Sequence, residues 1–271
     1  MKSRFVVAQM EQNGDPEINL ANARKAVAEA VEYYHADFIV FPECFMSLYP
    51  AGTPKETQLG SAQTLDGPFA TEMKKLAKDN HVWITFGMNE KVDNPADPRN
   101  HNTTMIIDSE GEVKGVYRKT HLYDAFGYKE SDTICPGDKL FDPIDTPFGK
   151  IGLFVCYEVR FPEVARDQVL KGADIILMPT AWASGPLKSH QFKTLITARA
   201  IENTAYIIAA DQVGVNSMGE SIIVDPMGVA VASAGETPQL ICATIDTDRI
   251  KEVRAKLPSF KDRRPYLYLV K

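Results

Sequence analysis

The chain lacks a hydrophobic run long enough to cross a membrane. No apolar stretch in its 271 residues approaches the roughly 18 residues that a membrane helix needs. The apolar part of the N-terminus, Phe5–Met10, is too short for a secretory signal and is predicted to be the first strand. We therefore expect a cytoplasmic protein that has no membrane partner.

Cysteine is scarce and widely spaced. The four cysteines, Cys44, Cys135, Cys156 and Cys242, form no CxxC pair, which argues against a zinc site or a redox pair. Reduced thiols are the expected state. No histidines stand four residues apart and the HExxH motif is absent, so neither a metal nor a cofactor is predicted.

An excess of positive charge is also missing. The chain has 30 Lys and Arg residues against 36 Asp and Glu residues, which gives a net charge of −6 and argues against a nucleic-acid partner. Hydrophobic residues make up 44%, enough for a substantial core. Because no linker, charge block or repeat interrupts the chain, residues 1–271 are predicted to form one domain, with Asp93–Asn102 as its most flexible loop.

Strand and helix patterns alternate along the chain. The spacing of apolar residues predicts helices at Glu17–Tyr34, Pro68–Asp79 and Leu187–Glu202. Hairpins are predicted where Ser109–Gly111 and Asp225–Gly228 separate pairs of short strands. This order favours a mixed α/β fold, with a mixed sheet or two packed sheets and helices on the outer faces.

Three predicted strand ends carry residues that suit thiol chemistry. Cys156 follows the apolar run Ile151–Val155 at a strand-to-helix turn, which would place a nucleophile beside free backbone N–H groups. Glu43 follows the buried segment Phe38–Pro42, a partly desolvated place that suits a general base. Lys119 ends a hairpin strand, where an ammonium could hold an oxyanion.

Each of these residues alone also has an ordinary structural interpretation. Glu43 could cap a helix or form a surface ion pair, and Lys119 could be a solvated surface lysine. A Cys–His pair with His121 or His190 is a further way to activate a thiol.

The three segments together resemble the signature blocks of the nitrilase superfamily, the carbon–nitrogen hydrolases. They are Phe41–Glu43, Arg118–Leu122 and Cys156–Glu163, in the order and spacing of that family. The resemblance continues at Pro179–Trp182, Ala198–Asn203, Asp225–Gly228 and Arg263–Tyr266. It implies a four-layer α-β-β-α sandwich and a homodimer or a higher oligomer, with the C-terminal tail at about 257–271 in the dimer interface.

The resemblance also implies a mechanism. Glu43 would act as the base, Cys156 as the nucleophile that forms a thioester, and Lys119 with the backbone N–H of Tyr157 as the oxyanion site. Glu130, six residues before Pro136, matches the second glutamate that positions the lysine and the substrate in this family.

The residues after the nucleophile indicate the substrate class. Tyr157 stands where true nitrilases tend to have tryptophan, so the chain resembles the amidase branches, which turn a small aliphatic or ω-carboxamide into the acid and ammonia. Glu158 stands where those branches usually have aspartate. Arg160 could bind a substrate carboxylate, although a structural bridge to Glu158 or Glu163 is the favoured interpretation.

The candidate pocket walls are mostly aromatic: Tyr49, Phe126, Tyr128, Trp182 and also Thr180. Alternative functions are an N-carbamoyl amino acid or amine hydrolase, a nitrilase and, least favoured, a non-enzymatic scaffold. A scaffold would need none of the three reactive side chains.

Overall fold

The computed structural model describes residues 2–94 and 96–268. The strands are β1 (Lys2–Glu11), β2 (Phe38–Val40), β3 (Trp83–Lys91), β4 (Asn100–Ile107), β5 (Val113–Arg118), β6 (Asp124–Ala125), β7 (Tyr128–Lys129), β8 (Ile144–Thr146), β9 (Gly149–Leu153), β10 (Ile175–Thr180), β11 (Tyr206–Val213), β12 (Ile222–Val224), β13 (Ala230–Ser233) and β14 (Gln239–Asp246). The helices are α1 (Pro16–Tyr34), α2 (Lys55–Gly60), α3 (Pro68–Asp79), α4 (Pro162–Leu170), α5 (Lys188–Asn203) and α6 (Thr247–Lys256).

One continuous 12-stranded sheet is folded into two halves. The first half has the order β14-β1-β2-β3-β4-β5, and the second has the order β8-β9-β10-β11-β12-β13. The halves join where the end of β1 pairs in parallel with β11, at Met10–Gln212 and Glu11–Val213. Strands β6 and β7 form a separate two-stranded ribbon.

The alternation of side chains along β1 explains the layers. Phe5 and Val7 point into the core between the two sheet halves, and Val6 and Ala8 point to the opposite face, which α1 and α3 cover. Phe5 stacks on Phe38 of the neighbouring strand, with ring centroids 5.1 Å apart. Helices α4 and α5 cover the second half, so the predicted four-layer α-β-β-α sandwich is confirmed.

The predicted bounds of the loop Asp93–Asn102 are wrong at the C-terminal end. Strand β4 already begins at Asn100 and pairs with β3 through Lys91–Asn100 and Asn89–Asn102. Polar residues of this kind are typical of a loop, but backbone pairing with β3 decides the conformation here. The short elements α2, β6, β7 and β8 were not predicted either.

The C-terminal tail is described as far as residue 268. It contains two single 3₁₀ turns, Pro258–Phe260 and Pro265–Leu267, and residues 269–271 of the expected interface tail lie outside the described residues. Within the described ranges, no helix combines the length and the apolar composition that crossing a membrane requires.

Six neighbouring strands run in the same direction, in the order β3-β2-β1-β11-β10-β9. Their carboxyl ends therefore meet at one edge, the usual place for a site in such a sheet. Glu43 follows β2, Cys156 follows β9 and Ala181 follows β10 directly.

Gly87 of β3 allows the chain to pass closely beside Glu43. Its N–H donates to the Pro42 carbonyl and its carbonyl accepts from the Met46 N–H, both at 3.0 Å. A β-carbon at residue 87 would overlap the Cys44 backbone nitrogen and stand 2.8 Å from the Glu43 carbonyl carbon. Backbone at this distance cannot move aside without shifting Glu43.

We therefore expect Gly87→Ala to lower the free energy of unfolding by about 1–3 kcal/mol, the usual cost of overpacking a core. Urea denaturation measures it. Gly60→Ala is the matched control, since a β-carbon there meets nothing within 4 Å, and it should change stability by less than about 0.5 kcal/mol. Equal stability of the two variants would contradict the close approach.

Candidate active site

Cys156 occupies a strained turn at the edge of the sheet. It lies just beyond β9 and opens the 3₁₀ turn Cys156–Arg160, with a φ angle of +48° that side chains other than glycine rarely adopt. The residue is 8% exposed and lines a cavity of about 150 Å³. A cysteine held in this way resembles the nucleophile of a strand–turn–helix elbow.

Lys119 brings two carboxylates together beside this thiol. Its Nζ lies 2.9 Å from Glu43 Oε1, and 3.1 and 2.9 Å from the two carboxylate oxygens of Glu130. The three side chains are almost fully buried and all line the cavity. We call Glu43, Lys119 and Glu130 the charged triad.

Asn102 hydrogen-bonds to both carboxylates of the charged triad, and it was not predicted from the sequence. Its Nδ2 donates to Glu43 Oε1 at 2.7 Å and to Glu130 Oε1 at 3.1 Å. Its Oδ1 is buried and finds no hydrogen-bond partner in the described part of the chain. Asn102 stands at a polar strand start that resembled a loop, so no local signal pointed to it.

The second half of the sheet fixes Glu43 from the other side. The Ala181 N–H, just after β10, donates to Glu43 Oε2 at 2.8 Å. Gln212 of β11 donates from its side chain to the Glu43 carbonyl at 2.6 Å. Glu43 therefore has contacts to both oxygens and to its backbone, and its orientation is set before any substrate enters.

Burial and charge determine the protonation of the site. Burial lowers the pKa of Lys119, but the charges of Glu130 and Glu43 outweigh it and hold that pKa well above the ordinary 10.5. Burial and the Glu43 charge raise the pKa of Cys156 well above 9.0, against the opposing effects of Lys119, Thr180 and the Ala181 N–H. At neutral pH the lysine is an ammonium and the cysteine is a protonated thiol, so attack requires a base.

Glu158 joins the segment that carries Lys119 to the turn that carries Cys156. Its fully buried carboxylate accepts hydrogen bonds from the Tyr117 hydroxyl at 2.7 Å, the Thr120 N–H at 3.0 Å and the Val155 N–H at 2.7 Å. Burial alone would raise the pKa of Glu158, but hydrogen bonds, with that of His121 the largest, lower it below its ordinary value.

The favoured structural role of Arg160 is wrong. Its Nη2 donates to Gln191 Oε1 at 2.9 Å, and among the described residues it bridges to neither Glu158 nor Glu163. The 3₁₀ turn sends Glu158 into the protein interior and Arg160 into the cavity, where its guanidinium lies 4.8 Å from the Trp182 ring.

The predicted pocket residues fall into two groups. Tyr49, Tyr128, Arg160 and Trp182 line the cavity, as does Tyr157, which was predicted for the oxyanion site. Two others lie elsewhere, because Phe126 is 78% exposed outside the cavity wall and Thr180 is fully buried next to Cys156.

The two histidines considered as alternative partners of the thiol lie outside the cavity wall. His121 stacks on Phe161 with ring centroids 4.3 Å apart, and His190 is exposed on α5. Neither belongs to the cavity wall. In the described ranges, no three His, Cys or acidic side chains are grouped as metal ligands would be.

Comparison with known proteins gives the family. A model of the carbon–nitrogen hydrolases matches residues 6–255. The chain belongs to this family. It is 36% identical to a deaminated glutathione amidase from Bos taurus over 274 residues, which cover 97% of this chain and 82% of that protein. A deaminated glutathione amidase from Escherichia coli O157:H7 is 38% identical over 204 residues, covering 75% and 76%.

Solved structures agree with the family. The NitFhit protein of C. elegans superimposes with a TM-score of 0.90 at 33% identity, over 98% of this chain and 66% of that one. An amidase from Nesterenkonia sp. AN1 gives a TM-score of 0.79 at 25% identity, over 98% of each chain. A mutant of the same amidase has been observed with the acetamide moiety of fluoroacetamide added to its active-site cysteine. The chain is thus a carbon–nitrogen hydrolase of amidase type in the nitrilase superfamily.

We expect Glu158→Gln to lower the free energy of unfolding by about 3 kcal/mol at pH 7, because several buried donors lose a charged acceptor. The pKa of Glu158 is lower in the folded protein than its ordinary value of 4.5. The stability that the charged Glu158 adds to the fold is therefore complete above about pH 4.5, and it is lost as the pH falls through the folded pKa. Urea denaturation at pH 7 and at successively lower pH measures both effects.

Glu163→Gln is the control, since Glu163 is exposed in the first turn of α4, and it should cost less than about 0.5 kcal/mol. A difference between wild type and Glu158→Gln that stays constant on acidification would contradict the assigned charge state.

Proposed function

We propose that this protein hydrolyses a small linear carboxamide, of the aliphatic or ω-amide type, to the acid and ammonia through a thioester on Cys156. The observation that carries the proposal is that one cavity holds the thiol and the charged triad of Glu43, Lys119 and Glu130. The deaminated glutathione amidases among the relatives support an amide as the substrate.

The first half-reaction forms the thioester. The Cys156 sulfur bonds to the amide carbon while its proton moves to Glu43, and the carbonyl electron pair moves onto oxygen. The Lys119 ammonium and the Tyr157 backbone N–H stabilise this oxyanion. The carbon–nitrogen bond then breaks, and the nitrogen leaves as ammonia with the proton from Glu43.

The second half-reaction uses water. Glu43 takes a proton from a water molecule whose oxygen attacks the thioester carbon, and the same oxyanion site is used again. The carbon–sulfur bond breaks, the acid leaves, and Cys156 regains its proton. Glu43 therefore acts as base and acid in turn, while Glu130 keeps Lys119 charged and in place.

Cys156→Ala should fold normally and lose turnover altogether, because the bond-forming atom is gone. Mass spectrometry of the wild type quenched during turnover should show the added acyl mass, and the variant should show none. Cys135→Ala is the control, since Cys135 lies outside the cavity wall and should be dispensable. Retained turnover in Cys156→Ala would end the proposal.

An ammonia-release screen, with Cys156→Ala as the blank, separates the alternatives. Small amides and ω-amides should be hydrolysed. Carbon dioxide released with ammonia from N-carbamoyl compounds would assign a carbamoylase instead, and activity on nitriles but not on the matching amides would assign a nitrilase. Absence of turnover on every class of substrate would contradict the proposed function and favour the non-enzymatic scaffold.

We further propose that residues 1–271 form one domain and that two copies form a dimer through the face of α4 and α5. Leu170 and Ile201 on these helices are 53% and 43% exposed, an arrangement that suits an interface. A cytoplasmic location fits a reaction that needs a reduced thiol, and the four cysteines are free. Cell fractionation tests the location.

Sedimentation equilibrium should give twice the 30.1 kDa of one chain, and Ile201→Glu should shift the protein towards the monomer because it buries a charge in the interface. Ile18→Glu is the control, since Ile18 is similarly exposed, at 46%, but lies on α1. Removal of residues 257–271 should also weaken the dimer. A monomeric wild type would contradict the proposed assembly.

A further inference from the structure

The cavity contains a second lysine that the mechanism does not use. Lys188 is the first residue of α5, is 9% exposed and lines the same cavity as Cys156. Its Nζ donates to the Tyr123 hydroxyl at 3.0 Å and lies 4.1 Å from the centre of the Phe126 ring. An ammonium has three donors, and the described residues supply an acceptor for one.

The position of Lys188 is electrostatically unfavourable. Among residues 2–94 and 96–268, no carboxylate lies within ion-pair distance of its Nζ, in contrast to Lys119, which has two. The first turn of a helix also carries a positive partial charge, which disfavours a cation there. A buried charge without an ionic partner is costly unless something else compensates it.

A second cation faces the same aromatic ring. The Arg160 guanidinium lies 4.8 Å and the Lys188 Nζ 5.9 Å from the centre of the Trp182 ring. The indole N–H of Trp182 donates to the Lys188 carbonyl at 3.1 Å, which fixes the ring to the start of α5. The Arg160 Nε is buried and has no hydrogen-bond partner in the described part of the chain.

One bound group, a carboxylate, would relieve all of these unfavourable features. Two cations near one ring repel each other, the buried lysine stands at the unfavourable end of a helix, and both cations have donors left over. A carboxylate between them would remove all three penalties, because it accepts charge-assisted hydrogen bonds from a guanidinium and an ammonium together.

We propose that Lys188 forms, with Arg160, a subsite for a carboxylate of the substrate, so that the amide that reacts at Cys156 carries an acid group at its other end. Lys188 is then a specificity-determining residue and takes no part in bond breaking. This inference rests on the proposed amidase function, and the experiment distinguishes failure of the subsite from failure of the amidase function.

The test compares an anionic and a neutral amide of similar length, glutaramate and valeramide. The wild type should prefer glutaramate in kcat/KM. Lys188→Met should lower kcat/KM for glutaramate by about 10- to 100-fold, the usual effect of losing a hydrogen bond to a charged group, and change that for valeramide less than about threefold. Lys188→Arg keeps the charge and should restore most of the preference.

Lys193→Met is the matched control on the same helix. Lys193 pairs with Glu220 outside the cavity wall, so its loss should leave the ratio of the two kcat/KM values unchanged. A general disturbance of folding would lower both values together, whereas loss of a carboxylate subsite lowers one of them.

Calorimetric binding to the inactive Cys156→Ala protein makes the test independent of turnover. In that background Lys188→Met should weaken glutaramate binding by about 10- to 100-fold and leave valeramide binding unchanged. If glutaramate binds through Lys188 but no amide is hydrolysed, the proposed function fails and the subsite stands. If turnover depends on Cys156 but the wild type prefers valeramide, or Lys188→Met affects both amides equally, the subsite is overturned and the amidase stands.

Discussion

The ion pairs of Lys119 with Glu43 and Glu130 are the interaction on which the rest of the site depends. Glu43 is 76 residues away along the chain, and a buried ammonium between two carboxylates is what holds it beside Glu130. Each ion alone would be costly to bury, and two carboxylates in one place could not both stay charged. Removal of the lysine would therefore disturb the protonation of both acids as well as the proposed oxyanion site.

The charge of the triad also bears on how the thiol would be activated. Two carboxylates and one ammonium give a net charge of −1. Burial and the charge of Glu43 raise the pKa of Cys156, against the opposing charge of Lys119. In the proposed mechanism Glu43 would accept the thiol proton, which would leave the triad neutral and move the negative charge to sulfur. The step transfers a charge within the cavity and creates none, so a resting thiolate is unnecessary. Lys119 lies near the charge at both stages.

The sequence predicts those parts of the molecule that depend on local pattern. Helix α3 has the predicted bounds, and Glu43, Lys119 and Cys156 stand beyond strand ends as expected, because buried strands end visibly where polar residues begin. Their meeting was inferred from the family resemblance, since a carboxylate or a lysine beyond a strand has ordinary uses as well.

What could not be predicted depends on contacts between distant segments. Asn102 resembled a loop residue because its pairing with Asn89 is invisible in the local sequence. No local signal singles out Lys188, because its burial depends on packing by Tyr123 and Phe126 from another segment. Glu158 and Arg160 are close in sequence and of opposite charge, but the 3₁₀ turn between them points them apart.

The wall of the cavity carries two groups of opposite sign, and this difference gives the site a direction. The triad carries a net negative charge, whereas Arg160 and Lys188 are positive. A substrate with a carboxylate at one end and a neutral amide at the other would be repelled if it entered with the carboxylate towards Glu43 and Glu130. The same carboxylate would be attracted to the two cations, where a low dielectric strengthens the interaction. The polarity of the cavity would thus place the amide carbon at the sulfur, and a neutral amide of equal length would lack this orientation.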